Sequence, residues 1–515
     1  MLAVAALVFL APNLVFALQL NIAPALLLAC GVLGAAVLTL RRPDGPTAVL
    51  DAPVDTRLLA ICAALALALC VLGGEGHFFY STTDWLIRDA VLADLTSNPS
   101  TAPVQSTLDG AHYFLRAPLG MYFLPASLGK LAGLTGAHYA LLAQNSLLLA
   151  IVLYFAGVLG GGWRLVLLLI VINGMDILPV ILTSPFASGE PVTGEPLYNS
   201  LLKMPRYALE HDNLEWWNGL LNYPSHVSHL FWAPNHALPG FFFAILCLLA
   251  ALGEIDLAVL GVFFGALLLW SPLAALPAVA ILPYFAWRAG LRGLAKPRLW
   301  VGAVCALCFA PVAVYLTLTS SSIPAQAVYV AEGFVLFYLV FLIVKIPHAF
   351  VLAWFRKSIA PEMTGLLAVS VAVLALLPFL NFGPSNDVVM RGSVAPLFIL
   401  SFVFAKFAMD LPRKSAAGRL VLVIVGLGLI TPLRDIQRAL ITPSYAISAC
   451  NLITAAHQLG PGLSTNYLTP VSSAPPWLLR APGADARVET VAVGAPWCWP
   501  GHPALRSPKV AEAGR

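Results

Sequence analysis

The sequence predicts an all-α polytopic integral membrane protein, a bundle of about 12–14 transmembrane segments with two large extracytoplasmic loops. Three observations predict it. Apolar residues make up 60% of the 515 positions and charged residues only 10%, where a soluble domain carries nearer a quarter charged. About fourteen apolar stretches approach the ~20 residues that take a helix across ~30 Å of hydrocarbon. The loops between them are basic on one side, and acidic and aromatic on the other. The net charge of +4 adds little, because placement of Lys and Arg matters more than their sum, and it makes no case for nucleic acid.

Residues 1–19 and 23–40 read as a retained helical hairpin rather than a signal peptide, since no basic region precedes the first apolar stretch. Arg41 and Arg42 mark a cytoplasmic end, and 57–73 leads outward from Arg57. From the other end, Arg413, Lys414 and Arg419 fix a cytoplasmic loop between 394–410 and 420–432. Arg356 with Lys357 marks a second such loop, and Arg288, Arg292, Lys296 and Arg298 a third; 300–318, 333–354 and 364–380 cross between the three. Segments 237–252, 257–271 and 273–287 then leave 184–236 outside. The expected division is a transmembrane domain over 1–432, with outer loops 74–114 and 184–236, and an extracytoplasmic tail over 433–515.

Three stretches, 115–133, 138–159 and 164–182, lie between two outer loops, where an even number must cross. One is therefore broken or re-entrant, which is tolerated only where protein or a water-filled cavity surrounds it. Pro179 and the pair Asn173-Gly174 nominate 164–182. Asp176 lies within it, and an intramembrane carboxylate is either a second acidic site or a polar group satisfied between helices. Lys130, Lys345, His348 and Lys406 are expected to lie near helix ends and snorkel, so no ion relay is apparent. No internal repeat is visible. Cys305 and Cys308 read as buried apolar thiols, whereas Cys450 and Cys498 can pair in an oxidising compartment.

Chemistry should sit where charged and aromatic residues collect. The first outer loop carries Thr82-Thr83-Asp84-Trp85, which suits the capped start of a short helix. Asp84 and Arg88 are spaced i, i+4, so Asp84 is either a cap paired with Arg88 or a general base tuned by it, with Asp89 beside them. His112 and Arg116 stand at the return to the membrane, as phosphate contacts or as an interfacial anchor. The second loop offers Glu215-Trp216-Trp217-Asn218, a sugar-binding platform or an aromatic belt, and runs on to His236. His226 and His229, with Asp212 or another nearby carboxylate, are compatible with a divalent metal, although no signature motif accompanies them and no cofactor is implied outright. Arg391, spaced i, i+4 from Asp387, is either half of a structural salt bridge or a cation that can hold an anionic group.

An outer loop that opens with Asp84-Trp85 and closes at Asp94-Leu95, followed by Tyr113 to Lys130, resembles the GT-C superfamily of membrane glycosyltransferases. It is also similar to a group of bacterial multi-pass proteins without an assigned substrate. The resemblance implies a GT-C-like bundle in the bacterial cytoplasmic membrane, with Asp84 in the place of the catalytic acidic residue and the active face extracytoplasmic. It further implies a polyprenyl-phosphate-linked sugar as donor, a glycan or lipid acceptor and membrane lipids as partners. Thr83 precedes Asp84 with no adjacent acidic pair, a departure from the family's metal-binding pattern. Two other classes stay open: a transporter or flippase for a lipid-linked glycan, and a non-catalytic assembly protein.

Overall fold

The computed structural model describes residues 1–41, 47–98, 105–108, 111–183, 213–319, 333–383, 386–459, 467–481, 488–490 and 497–501. Among these the chain is mostly helical. Seven helices are long and apolar enough to cross a membrane, and an eighth if the bent pair Phe334–Lys345 and Pro347–Trp354 counts as one. That is fewer than the expected 12–14, because stretches such as Leu2–Ala17, Thr56–Leu72 and Leu257–Ala266 form shorter apolar helices.

Burial separates core helices from peripheral ones. Pro234–Ala251 is apolar all round and buried over most of its length, so it forms the centre with Val394–Asp410 beside it. Ile22–Leu40 and Pro297–Leu307 keep Leu26, Leu33, Val304 and Leu307 exposed, as lipid-facing surfaces require. Exposed Trp287, Trp300 and Trp354 stand close in sequence to Arg288, Arg298 and Arg356, the aromatic-and-basic pattern of a membrane boundary.

Polar contacts gather at two ends of the bundle. At the predicted inner end, Arg298 pairs with Asp256 and donates to the carbonyls of Leu38 (2.6 Å) and Arg41 (2.7 Å), while Glu254 accepts from the Val49 and Leu50 amides. At the other end the tail returns. Asn21 donates to the Pro476 and Leu479 carbonyls, and Arg480 donates to Leu20. A four-stranded sheet departs from the all-α expectation: β1 (Gln105–Leu108) and β2 (Ala111–Leu115), before helix Gly120–Gly160, pair with β3 (Leu468–Pro470) and β4 (Val488–Thr490) of the tail, in the order β3-β2-β1-β4. The boundary expected at 432 falls inside helix Ile430–Ile441, and Cys450 and Cys498, whose pairing the sequence leaves open, form a disulfide. Cys305 and Cys308 are free and buried.

Stretches 115–133 and 138–159 meet at Gly133. Helix Gly120–Gly160 breaks there into two arms, with Gly133 at φ +75°. Met121 accepts from Gln144 and a β-carbon on Gly129 would touch Ala137, so the first arm folds back antiparallel on the second. Stretch 164–182 is also broken, as its punctuation predicts: helix Trp163–Val171 ends, residues 172–176 are not helical, and Ile177–Thr183 resumes.

That second break meets the bend of the pair Phe334–Lys345 and Pro347–Trp354, whose helices turn by 76°. Met175 donates to the Val344 carbonyl at 2.7 Å, and a β-carbon on Gly174 would stand 2.8 Å from the Lys345 Cα and the Val344 oxygen. Two interrupted helices thus satisfy each other's freed backbone groups, as apolar surroundings demand.

Candidate active site

Helix Thr83–Ser97 is held by its apolar face. Trp85 is fully buried and donates through Nε1 to the Phe231 carbonyl at 3.1 Å, which docks the helix on helix His226–Trp232. Thr82 occupies the cap position without a side-chain bond, so Asp84 sits in the first turn rather than capping it. At 100° per residue, Thr83, Asp84, Ile87, Arg88 and Val91 share one face. That face lines a cavity of about 580 Å³, within the range of small-molecule sites.

Eight of the candidate site residues singled out from the sequence line this cavity: Asp84, Arg88, Glu215, Trp216, His229, His236, Asp387 and Arg391. Two Asp–Arg pairs are among them, Asp84–Arg88 at 3.5 Å and Asp387–Arg391 at 3.7 Å. A partly exposed i, i+4 pair contributes only about 0.3–0.5 kcal/mol, so stability is a weak reason for either. Arg88 Nε and Nη1 and Arg391 Nε are buried without a hydrogen-bond partner among the described residues. Asn222 Oδ1, Asn235 Oδ1 and His229 Nδ1, on other residues of the same lining, are in the same condition. Buried polar atoms without partners are costly, and six of them belong to residues on this one lining.

The electrostatics differ from group to group. Burial raises Asp387 above the usual carboxylate range; the Arg391 charge opposes this and the Asp84 charge adds to it. Burial pushes Glu215 up to about 7, against the Lys345 charge, while its Oε1 accepts from the Ser225 amide at 2.7 Å. His229 is driven down to about 3 by burial and by Arg391, and its Nε2 donates to the Met390 carbonyl at 3.0 Å. It is a neutral imidazole near physiological pH. His236 Nδ1 lies 2.6 Å from the Ser271 hydroxyl.

Other predicted site residues stand elsewhere. Asp89 is fully buried, and its carboxylate faces His77 rather than the cavity. Trp217 points away from its neighbour Trp216 and donates to Asp176 at 2.9 Å, so only one of the two indoles faces the site. Arg116 donates to the Thr469 hydroxyl at 3.2 Å, tying the approach to helix Gly120–Gly160 to the tail, and His112 is exposed on β2. His226 packs between Phe241 and Phe398, with ring centroids 5.3 and 5.5 Å away. It is not gathered with His229 and a carboxylate at metal-ligand distance among the described residues. Asp212 and residues 184–211 lie outside the described residues.

Asp176 is satisfied between helices. Its carboxylate accepts from Asn173 and Trp217, each at 2.9 Å, and meets Lys345 at 2.5 Å, with both side chains wholly buried. Lys345 therefore does not snorkel, and neither does the buried His348; Lys130 and Lys406 are exposed as expected. Asn222 and the tail residue Tyr467, which also line the cavity, carry no sequence signal of a role. No protein-family model, no curated protein and no solved structure matches this chain.

Proposed function

We propose that the protein is a glycosyltransferase of GT-C type, moving a sugar from a polyprenyl-phosphate donor to a hydroxyl of a glycan or lipid acceptor on the outer face of a bacterial cytoplasmic membrane. The observation that carries this reading is the cavity in which Asp84, Arg88, Asp387 and Arg391 meet beside Glu215 and Trp216. In this mechanism the Asp84 carboxylate accepts the acceptor hydroxyl's proton. The freed oxygen attacks the anomeric carbon, the bond from that carbon to the phosphate oxygen breaks, and the electron pair leaves on the phosphate. The configuration inverts. Arg391 and Arg88 hold the growing phosphate charge in a partly dry site, where fixed donors are worth several kcal/mol. Arg88 takes the supporting place expected of Arg116 or His112, because it lines the cavity and they do not. Trp216 supplies the flat apolar face that a pyranose ring stacks on.

The test is turnover of a panel of polyprenyl-phosphate sugars by detergent-purified protein, followed by mass spectrometry, in wild type and Asp84→Asn. Donor consumption lost on substitution, with thermal stability retained, supports the transferase. An unchanged rate in Asp84→Asn removes Asp84 as the base.

One observation favours a second reading, movement of a lipid-linked glycan: two interrupted helices meet at the buried Asp176–Lys345 pair, as helices do at transport sites. Translocation in proteoliposomes that needs Lys345 but not Asp84 would favour it.

A further inference from the structure

The buried face of helix Thr83–Ser97, turned away from the cavity, meets a second group of ionisable side chains. Gly74, Gly76 and His77 all take left-handed backbone conformations, with φ +97°, +75° and +61°. That region is uncommon for a residue with a β-carbon, and such a residue persists there only where its surroundings hold it. Here the turn delivers the His77 imidazole inward, where its side chain is 4% exposed. Nδ1 lies 2.8 Å from the Tyr445 carbonyl oxygen, which can only accept, so Nδ1 carries the proton. Nε2 faces the Asp89 carboxylate, 3.1 Å from each oxygen. If that nitrogen holds a lone pair, a cation must stand between it and the carboxylate.

A proton on Nε2 would satisfy His77 and Asp89 but leaves His138 unexplained. His138 is 1% exposed, and neither ring nitrogen has a hydrogen-bond partner among the described residues. Its ring meets His77 edge-on, with centroids 5.2 Å apart. One ligand atom from each of His77, Asp89 and His138 falls within 4.8 Å of the others. Ligand atoms around a tetrahedral zinc ion are roughly 3.4 Å apart, so small rotations of the two imidazoles close the set.

We propose that His77, Asp89 and His138 form a divalent transition-metal site that takes zinc. Two neutral imidazoles and one carboxylate, with no thiolate, suit zinc or its first-row neighbours and not magnesium or calcium, which take oxygen ligands. The Tyr445 carbonyl is the outer partner that fixes the His77 tautomer. The ion ties three parts of the chain together: the His77 turn, the helix that presents Asp84 and Arg88, and the helix Gly120–Gly160; the His77–Tyr445 hydrogen bond adds the start of the tail.

The experiment uses full-length protein in detergent, purified without a polyhistidine tag, stripped with chelator and then exposed to zinc or cobalt(II) salts. After desalting, elemental analysis should find close to one zinc per wild-type chain. Asp89→Asn and His138→Ala should weaken retention by more than the roughly 10- to 100-fold that outer-shell changes cost, while a His226→Ala/His229→Ala variant retains the metal in full. Cobalt-loaded wild type should show visible d–d absorption, a readout that needs no variant to fold. Zinc retained equally by His138→Ala, or a wild type that holds no zinc and gives a featureless cobalt spectrum, overturns the proposal. None of these readouts depends on transferase activity.

Discussion

Lys345 and Asp176 stand 2.5 Å apart with neither side chain reaching solvent, at the point where two interrupted helices cross. Such a pair adds little net stability over a well-packed apolar pair, but removing one partner strands a buried charge, at about 3–5 kcal/mol. Lys345→Met alone should therefore lower the midpoint of thermal unfolding in detergent sharply. The double variant Asp176→Asn/Lys345→Met should recover much of that loss, since a neutral amide in place of the Asp176 carboxylate strands no charge and its oxygen can still accept from Trp217. A double variant no more stable than the worse single one would mean that the two residues act separately.

This pair also shows where the sequence was readable and where it was not. Pro179 and Asn173-Gly174 announced a break in 164–182, because local backbone chemistry decides it. Nothing near Lys345 announced its partner, since that contact is made between distant segments. The same division runs through the site. Spacing alone paired Asp84 with Arg88 and Asp387 with Arg391, but only packing brought the two pairs to one cavity with Tyr467 of the tail. Adjacent Trp216 and Trp217 are equivalent in composition yet face opposite ways. Arg116 looked like an interfacial anchor because the tail strand carrying Thr469, which it meets, is invisible to local reasoning.

Arg391 is expected to act on the transition state more than on donor binding. Arg391→Ala should lower kcat by about 10²–10³, the cost of one preorganised donor to developing charge. Arg391→Lys should restore only part of it, because an ammonium is a point charge without the planar fork that grips two phosphate oxygens. Steady-state kinetics on the donor that wild type consumes would decide this. An effect confined to KM would place Arg391 in ground-state binding instead.

Glu215 should make stability depend on pH. Its carboxyl is pushed from about 4.5 to about 7 on folding, chiefly by burial. The native state then binds more proton than the unfolded chain between those values, so stability is highest below about 4.5 and falls as pH rises through about 7. The loss is at most about 1.4 kcal/mol per pH unit in that window. Wild type compared with Glu215→Gln by thermal unfolding from pH 4.5 to 8 should show the difference. Parallel profiles would mean that Glu215 is ionised in the native state at no cost.

The tail should be coupled to the cavity through its disulfide. Cys450–Cys498 joins residues 48 positions apart, next to the Leu452 amide that donates to Asp94 on the helix bearing Asp84 and Arg88. Between the two cysteines lie Tyr467, which lines the cavity, and Thr469, which holds Arg116. Loss of a native disulfide of this loop size costs about 2–5 kcal/mol, and here that cost falls on the docking of the tail onto β1 and β2. Cys450→Ser should therefore speed proteolysis within 451–497 while the membrane helices stay folded. It should also weaken donor binding, as Tyr467 loses its place. Limited proteolysis read by mass spectrometry, with and without reductant, tests the first part. Identical cleavage rates in the two states would show that the sheet docks the tail without the bond.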